Sequence, residues 1–224
     1  MEAAAPAAAA AGTTTAAAAF TGEYACVFCG SKEGQTPAFA AAAKGLANVL
    51  LQRGLGLVYG GGTVGLMGIV SRTVQDGGGK VFGVIPAALM PREVSGAMLG
   101  DTVVVGTMHE RKALMAEKAH FFIALPGGFG TFEELFEIIT WVQLGIHSKP
   151  IGLLNVAGYY DPLVAMLKRA HEEGFIADNW TDLVLVADEP EAMVEKLLAH
   201  RPPPGLVDQK SWAGPGRPLS LSES

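Results

Sequence analysis

Short apolar runs recur along the chain at 24–28, 55–59, 80–85, 101–105, 121–125, 150–154 and 183–187. They are rich in Val, Ile, Leu and Phe and bounded by Gly and Pro, which predicts β-strands. Stretches with apolar positions three and four apart separate most of them and predict helices. Thr36-Pro37 opens the first helix as N-cap and N1, and Gly54 closes it. Further helices are expected at about 64–76, 108–118, 131–144, 160–173 and 189–200, the last with Asp188-Glu189-Pro190-Glu191 as a capping arrangement.

Strand and helix alternating in this way imply an α/β domain over 23–200, with a mostly parallel sheet of about seven strands in a Rossmann-like three-layer fold. Phe121-Phe122-Ile123-Ala124-Leu125 has no polar face, as a strand covered on both sides requires. Ligands of such sheets sit beyond the carboxyl ends of the strands, so the residues just after each strand become the candidates.

The flanks read differently. Residues 1–22 are Ala- and Thr-rich with no Lys or Arg, which fits neither a secretory signal nor an Arg-rich transit peptide. They are expected to be a disordered extension on a protein of the cytoplasm, with the nucleus as a second location and organellar targeting by this segment left open as alternatives. The segment from Arg201, with Pro202-Pro203-Pro204-Gly205, is expected to be a disordered tail through residue 224. Half of the residues are hydrophobic, but no run of 18 strongly apolar residues occurs, so no membrane span is expected. The net charge of −6 and the lack of a Lys/Arg cluster argue against polymeric nucleic acid while leaving room for a small anion. Two cysteines, Cys26 and Cys29, are too few for a disulfide framework. Three residues apart on a strand they point to opposite faces, so the pair reads as structural rather than as a zinc or redox site.

Four strand-end loops carry the candidate chemistry. They are Gly30-Ser31-Lys32-Glu33-Gly34, Gly60-Gly61-Gly62-Thr63-Val64-Gly65, Met108-His109-Glu110-Arg111-Lys112, and Pro126-Gly127-Gly128-Phe129-Gly130-Thr131-Phe132-Glu133-Glu134. Glycines let the backbone approach a ligand, and helix starts offer free N–H groups to an anion. Two Gly-rich turns on one sheet edge, with Ser31, Thr63 and Thr131 as hydroxyls, predict a phosphate cradle. Gly60–Gly65 matches GxGxxG, but the next strand ends Val84-Ile85-Pro86 without the acid that a dinucleotide ribose needs, so NAD is not expected. No P-loop, HExxH or GxSxG pattern is present, and no His/Cys/Asp/Glu set has metal spacing, so neither metal nor cofactor is expected.

Arg111 and Lys112 sit in the first turn of a predicted helix, where the dipole disfavours cations. They read either as anion ligands or as a surface pair salt-bridged to Glu110. Thr131-Phe132-Glu133-Glu134 has the T-x-x-E form of a capping box, which would make Glu134 a cap. The alternative is a carboxylate beside a reacting carbon, and either Glu133 or Glu134 could supply it. Glu93, in Met90-Pro91-Arg92-Glu93, reads from sequence as a surface acid.

Together, Pro126–Glu134 as PGGxGTxxE and Arg111-Lys112 resemble the LONELY GUY family of cytokinin riboside 5′-monophosphate phosphoribohydrolases. Tyr59–Gly68, Cys29-Gly30-Ser31 and Val84-Ile85-Pro86 with Met90–Glu93 support the likeness over about 24–200. Lys32 departs from it, standing where a second serine is expected. The resemblance implies hydrolysis of N6-substituted AMP to a free cytokinin base and ribose 5-phosphate, by a homodimer without cofactor. By motif it implies Arg111 and Glu134 as the catalytic pair. Substrate contacts would be Glu93, Lys112, Gly128, Phe129, Gly130, Thr131, Phe132, Glu133 and Thr140, beside Ser31, Gly61, Gly62 and Thr63 from the Gly-rich turns. Met115 and Trp141 read either as walls for the N6 group or as core. Three alternatives remain at this point: a general purine-nucleotide hydrolase, a non-catalytic nucleotide carrier, and a lysine decarboxylase, a label that chains with this motif have carried. The last needs a Schiff-base lysine and a partner for the pyridine nitrogen of pyridoxal phosphate, and no such pattern is evident.

Overall fold

The apolar runs form seven strands in the computed structural model, which describes residues 18–177, 179–208, 210 and 212. They are β1 (Tyr24–Phe28), β2 (Gly56–Tyr59), β3 (Val81–Pro86), β4 (Asp101–Val105), β5 (Phe121–Ala124), β6 (Ile151–Leu154) and β7 (Leu185–Ala187). All pair in parallel, in the order β4-β3-β2-β1-β5-β6-β7. The helices are α1 (Pro37–Gln52), α2 (Gly65–Asp76), α3 (Met90–Glu93), α4 (Met108–Lys118), α5 (Phe129–Leu144), α6 (Asp161–Glu172), α7 (Trp180–Leu183) and α8 (Pro190–Ala199). The one-turn α3 and α7 were not expected, because four residues carry no helical periodicity. No helix among the described residues is long and apolar enough to cross a membrane.

The central strands β1, β2, β5 and β6 are buried almost throughout. On one face α1, α2 and α8 pack through Leu46, Leu50, Val70, Val74 and Met193. On the other, α4, α5 and α7 pack through Met115, Leu135, Ile138, Val142 and Leu183. Cys26 and Cys29 are free and belong to opposite faces, as their spacing requires. Gly54 ends α1 as expected. It has φ +65°, its N–H donates to Leu51 O and the next N–H, of Leu55, donates to Leu50 O. The expected side-chain caps are missing at both ends of the chain: neither Thr36 before α1 nor Glu189 before α8 makes one.

The ordered fold runs past 23–200. Ala18 N donates to Leu51 O and Thr21 N to Gly54 O, and Leu206 N donates to Gln143 O at the end of α5. Residues 18–22 and 201–208 are thus tied to the domain. Of the rest of both expected extensions, only 210 and 212 are described, and Trp212 Nε1 donates to Leu144 O at 3.2 Å.

His147, between α5 and β6, is buried against the Phe122 ring. Its Nδ1 accepts from Lys149 N at 3.1 Å, which leaves Nε2–H to donate to Ile138 O at 3.1 Å. Both nitrogens are satisfied only in the neutral ring. Burial, with the Lys149 charge, pushes the imidazole down to about 4. Its folded pKa lies below the unfolded value, so its contribution is complete above about pH 6.5 and is lost as pH falls toward 4. That loss amounts to about 3 kcal/mol at most. Urea unfolding at pH 7 and pH 4.5 is expected to show this slope in the wild type and a shallower one in His147→Gln.

Candidate active site

The chain builds the sheet outward from β1 to β4, then restarts at β5 on the other side of β1. The loops after β1 and β5 therefore diverge, and a crevice opens at this switch point. A recess of about 210 Å³ lies there. Gly30 and Ser31 reach it from β1, Gly60 from β2, Glu93 from α3, Arg111 from α4, and Gly128–Thr131 with Glu134 from α5.

Arg111 is brought in by a capped helix start. Thr107 Oγ1 accepts from Glu110 N at 3.1 Å, and Glu110 Oε2 accepts from Gly106 N at 2.8 Å. Thr107-Met108-His109-Glu110 is thus a variant of the capping box in which the acid accepts from the residue before the N-cap, and Glu110 is not the salt-bridge partner of Arg111. Arg111, the fourth residue of α4, turns inward and is only 6% exposed. Its Nη2 donates to Gly60 O at 3.1 Å. A Cβ at 60 would lie 1.9 Å from that nitrogen, so glycine there leaves the guanidinium its place against the backbone. Two carboxylates flank the guanidinium: Glu134 Oε1 is 3.7 Å from Nη1, and Glu93 Oε2 is 3.9 Å from Nη2. These separations give charge attraction without hydrogen bonds. Arg111 Nε and Glu93 Oε2 are buried and have no hydrogen-bond partner. Unmade bonds of this kind are costly and leave the cluster ready to bind polar groups of a ligand.

Glu134 does not cap its helix. Gly128 is the N-cap of α5, so Thr131 already lies in the first turn and Glu134 in the second, facing the recess. Burial pushes the Glu134 carboxyl up to about 7. Arg111 pulls it down, while Glu133 and Glu93 add to the rise. The helix turns the two adjacent acids to different sides: Glu134 lines the recess, while Glu133 faces outward and, with Glu137, binds Lys112 Nζ. Burial alone would lower the pKa of the Lys112 ammonium, but these two hydrogen bonds hold it above the ordinary value.

Ser31, Glu93, Arg111, Gly128, Phe129, Gly130, Thr131 and Glu134 thus meet in the recess. Lys112, Glu133, Phe132 and Thr140 do not line it. Phe132 packs on the core, and exposed Thr140 donates its hydroxyl to Phe136 O within α5. Gly61, Gly62 and Thr63 also stay out, because this turn holds the α3 segment in place. Thr63 N donates to Glu93 O at 2.7 Å, Thr63 Oγ1 donates to Ser95 O, and Ser95 N donates to Thr63 Oγ1. Met115 is 1% exposed core and Trp141 lines no part of the recess. Sequence reading passed over Gly60, Met67 and Cys29 as lining residues. Gly60 had a signal, as the first residue past β2; Met67 and Cys29 looked like core.

A second recess of about 370 Å³ adjoins the first and shares Gly30, Ser31 and Gly128 with it. Lys32, Phe39, Gly127 and Tyr159 are among its walls. Two tyrosines after β6 hold the turn between the recesses. Tyr159 donates its hydroxyl to Gly127 O, and Tyr160 donates to Leu125 O at 2.7 Å.

An all-parallel sheet with an under-satisfied charged cluster at its switch point, beside a Gly-rich helix start with no side-chain cap, defines an α/β protein built to hold a sugar phosphate or nucleotide. Comparison with known proteins narrows this. A family model described as "possible lysine decarboxylase" matches residues 67–197. The cytokinin riboside 5′-monophosphate phosphoribohydrolase LOG of Oryza sativa subsp. japonica is 53% identical over 177 residues, covering 79% of this chain and 73% of that one. LOG4 of Arabidopsis thaliana, of the same name, is 52% identical, covering 79% and 82%. The chain belongs to this LONELY GUY family of phosphoribohydrolases. The molybdenum cofactor carrier protein of Chlamydomonas reinhardtii shares the fold at a TM-score of 0.59 and 24% identity, covering 79% of this chain and 98% of that one. The decarboxylase label finds no support at Lys112, whose ammonium is held charged by two carboxylates, whereas a Schiff base forms from a neutral amine.

Proposed function

We propose that the protein hydrolyses the N-glycosidic bond of cytokinin riboside 5′-monophosphates, N6-substituted AMP, and releases the free base and ribose 5-phosphate. The observation that carries this reading is the buried Glu134 carboxyl beside Arg111 in the switch-point recess. Relatives 52% and 53% identical to it over 177 residues are named for the same reaction. Breaking the C1′–N9 bond develops positive charge on the ribose, and an ionised carboxylate in a water-poor site stabilises that charge. Water supplies a hydroxyl to C1′ and the proton that the base carries away, with Glu134 relaying it. Arg111 keeps Glu134 ionisable by its charge and directs its unpartnered Nε–H at the ligand. Glu93, with its free Oε2, accepts from the ribose hydroxyls.

The test is base release, followed chromatographically, from isopentenyladenosine 5′-monophosphate, its unphosphorylated riboside and AMP. Release from the first far faster than from the others is expected. Equal rates from the first and from AMP would make the enzyme a general purine-nucleotide hydrolase. Binding without release would make it a carrier. Because Glu134 works ionised, kcat/KM is expected to rise with pH through about 7 and level off above. A profile that falls across the same range would make Glu134 a proton donor instead.

A homodimer is part of the same reading. It is supported by the exposed apolar side chains Met98, Val103, Val104 and Met108 on and beside the edge strand β4. Light scattering on the purified chain is expected to give twice the mass of 23.2 kDa.

A further inference from the structure

We propose that the second recess holds the 5′-phosphate and that Lys32 is the cation that reads it. This rests on the phosphoribohydrolase reading and adds to it a residue for which the LONELY GUY motifs provide no counterpart.

The argument is one of charge. The first recess holds one guanidinium against two carboxylates. With Glu134 ionised, as the chemistry requires, that recess is net negative and repels a phosphate dianion. Lys112 is equally committed, since Glu133 and Glu137 both bind its Nζ. Lys32 is the remaining cation on the walls of the two recesses, and among the described residues it forms no ion pair or hydrogen bond through its side chain. It stands on the β1–α1 loop, in the wall of the second recess, between Ser31 and Glu33; with that one acid the second recess is neutral, where the first is net negative. Gly127 and Gly128, at the uncapped start of the sixteen-residue α5, face the same space. A Cβ at Gly128 would meet nothing within 4 Å, so the approach to that backbone is open. The two recesses share Gly30, Ser31 and Gly128, so a phosphate in the second leaves the ribose carbon within the first. There the unpartnered Nε of Arg111, whose side chain is 7% exposed, awaits an acceptor from the same ligand. The first recess alone, at about 210 Å³, is below the size range of sites that enclose a whole nucleotide-sized ligand.

The place of Lys32 is held by the fold. Gly65 opens α2 at φ +55°, and a Cβ there would lie 2.3 Å from the Ser31 carbonyl carbon. Leu66 N donates to Gly30 O at 3.1 Å. The loop that carries Lys32 is thus packed directly on the start of α2.

The experiment is calorimetric titration of the full chain with AMP, in the wild type, Lys32→Ser and Lys32→Arg, at low and high sodium chloride, with turnover of isopentenyladenosine 5′-monophosphate measured in parallel. Lys32→Ser is expected to weaken AMP binding about tenfold at low salt and to flatten its salt dependence, with Lys32→Arg recovering most of the loss. Where turnover occurs, the loss should appear in KM, with kcat within about twofold of the wild type. An unchanged Kd for AMP in Lys32→Ser, or a loss of the same size for unphosphorylated adenosine, overturns the assignment. Because binding is read separately, a wild type that binds AMP through Lys32 yet releases no base would refute the hydrolase reading and keep the phosphate site.

Discussion

Glu134→Gln is expected to lower kcat by about 1,000-fold or more while leaving the protein folded. The amide keeps the shape of the side chain but can neither carry the negative charge that meets the ribose cation nor take a proton from water. Capping would predict the reverse pattern, a folding defect, but the start of α5 is set by Gly128 and makes no bond to Glu134. Stability separates the two further. The folded pKa of Glu134, about 7, lies above its unfolded value, so the folded state binds the extra proton between them. Wild-type stability therefore falls as pH rises from about 4.5 through 7, because a charge must then be held out of water. Glu134→Gln has no such charge, and thermal unfolding at pH 8 should find it at least as stable as the wild type. A variant that is inactive because it melts tens of degrees lower would contradict this account of the residue.

Arg111→Ala is expected to reduce kcat about 100-fold and to move the acid limb of the pH profile upward from about 7. Arg111 lowers the Glu134 pKa against the larger effect of burial, so removing it leaves the carboxyl protonated over a wider pH range. The same change strands Gly60 O and leaves Glu93 without a cation. Losing one partner of a buried cluster typically costs several kcal/mol, here reduced because Glu134 can take up a proton. The pH dependence of kcat/KM at saturating fold stability, checked by circular dichroism, reads the effect directly. A limb that stays at the wild-type position would mean that Arg111 does not set the ionisation of Glu134.

All seven strands fall within two residues of their expected places; the central ones were legible because strands buried on both faces are written as unbroken apolar runs, whereas the edge strand β4 is largely exposed. Strand order was not written in any local pattern. It comes from how crossover helices pack, and it decides which loops meet. The T-x-x-E signal occurs twice, at Thr107–Glu110 and Thr131–Glu134, and only the first is a cap. Sequence could not tell them apart, since the second lies inside a helix that starts earlier at a Gly-rich turn. Glu133 and Glu134 are adjacent, so their division into a surface partner of Lys112 and a buried acid depends on the rotation of α5 against α4. Thr63 looked like a phosphate ligand because its loop is Gly-rich. Its hydroxyl is instead spent on Ser95, thirty-two residues away, a pairing that no motif announces. Glu93 reads as a surface acid until α3 turns it beside Arg111.

The most direct measurement is the product balance of the purified chain with isopentenyladenosine 5′-monophosphate in large excess, set beside Glu134→Gln. The account predicts isopentenyladenine and ribose 5-phosphate in equal amounts over many turnovers by the wild type, and neither above background from the variant. Nucleotide recovered intact from a wild type that binds it would contradict the account, as would base released equally by both proteins.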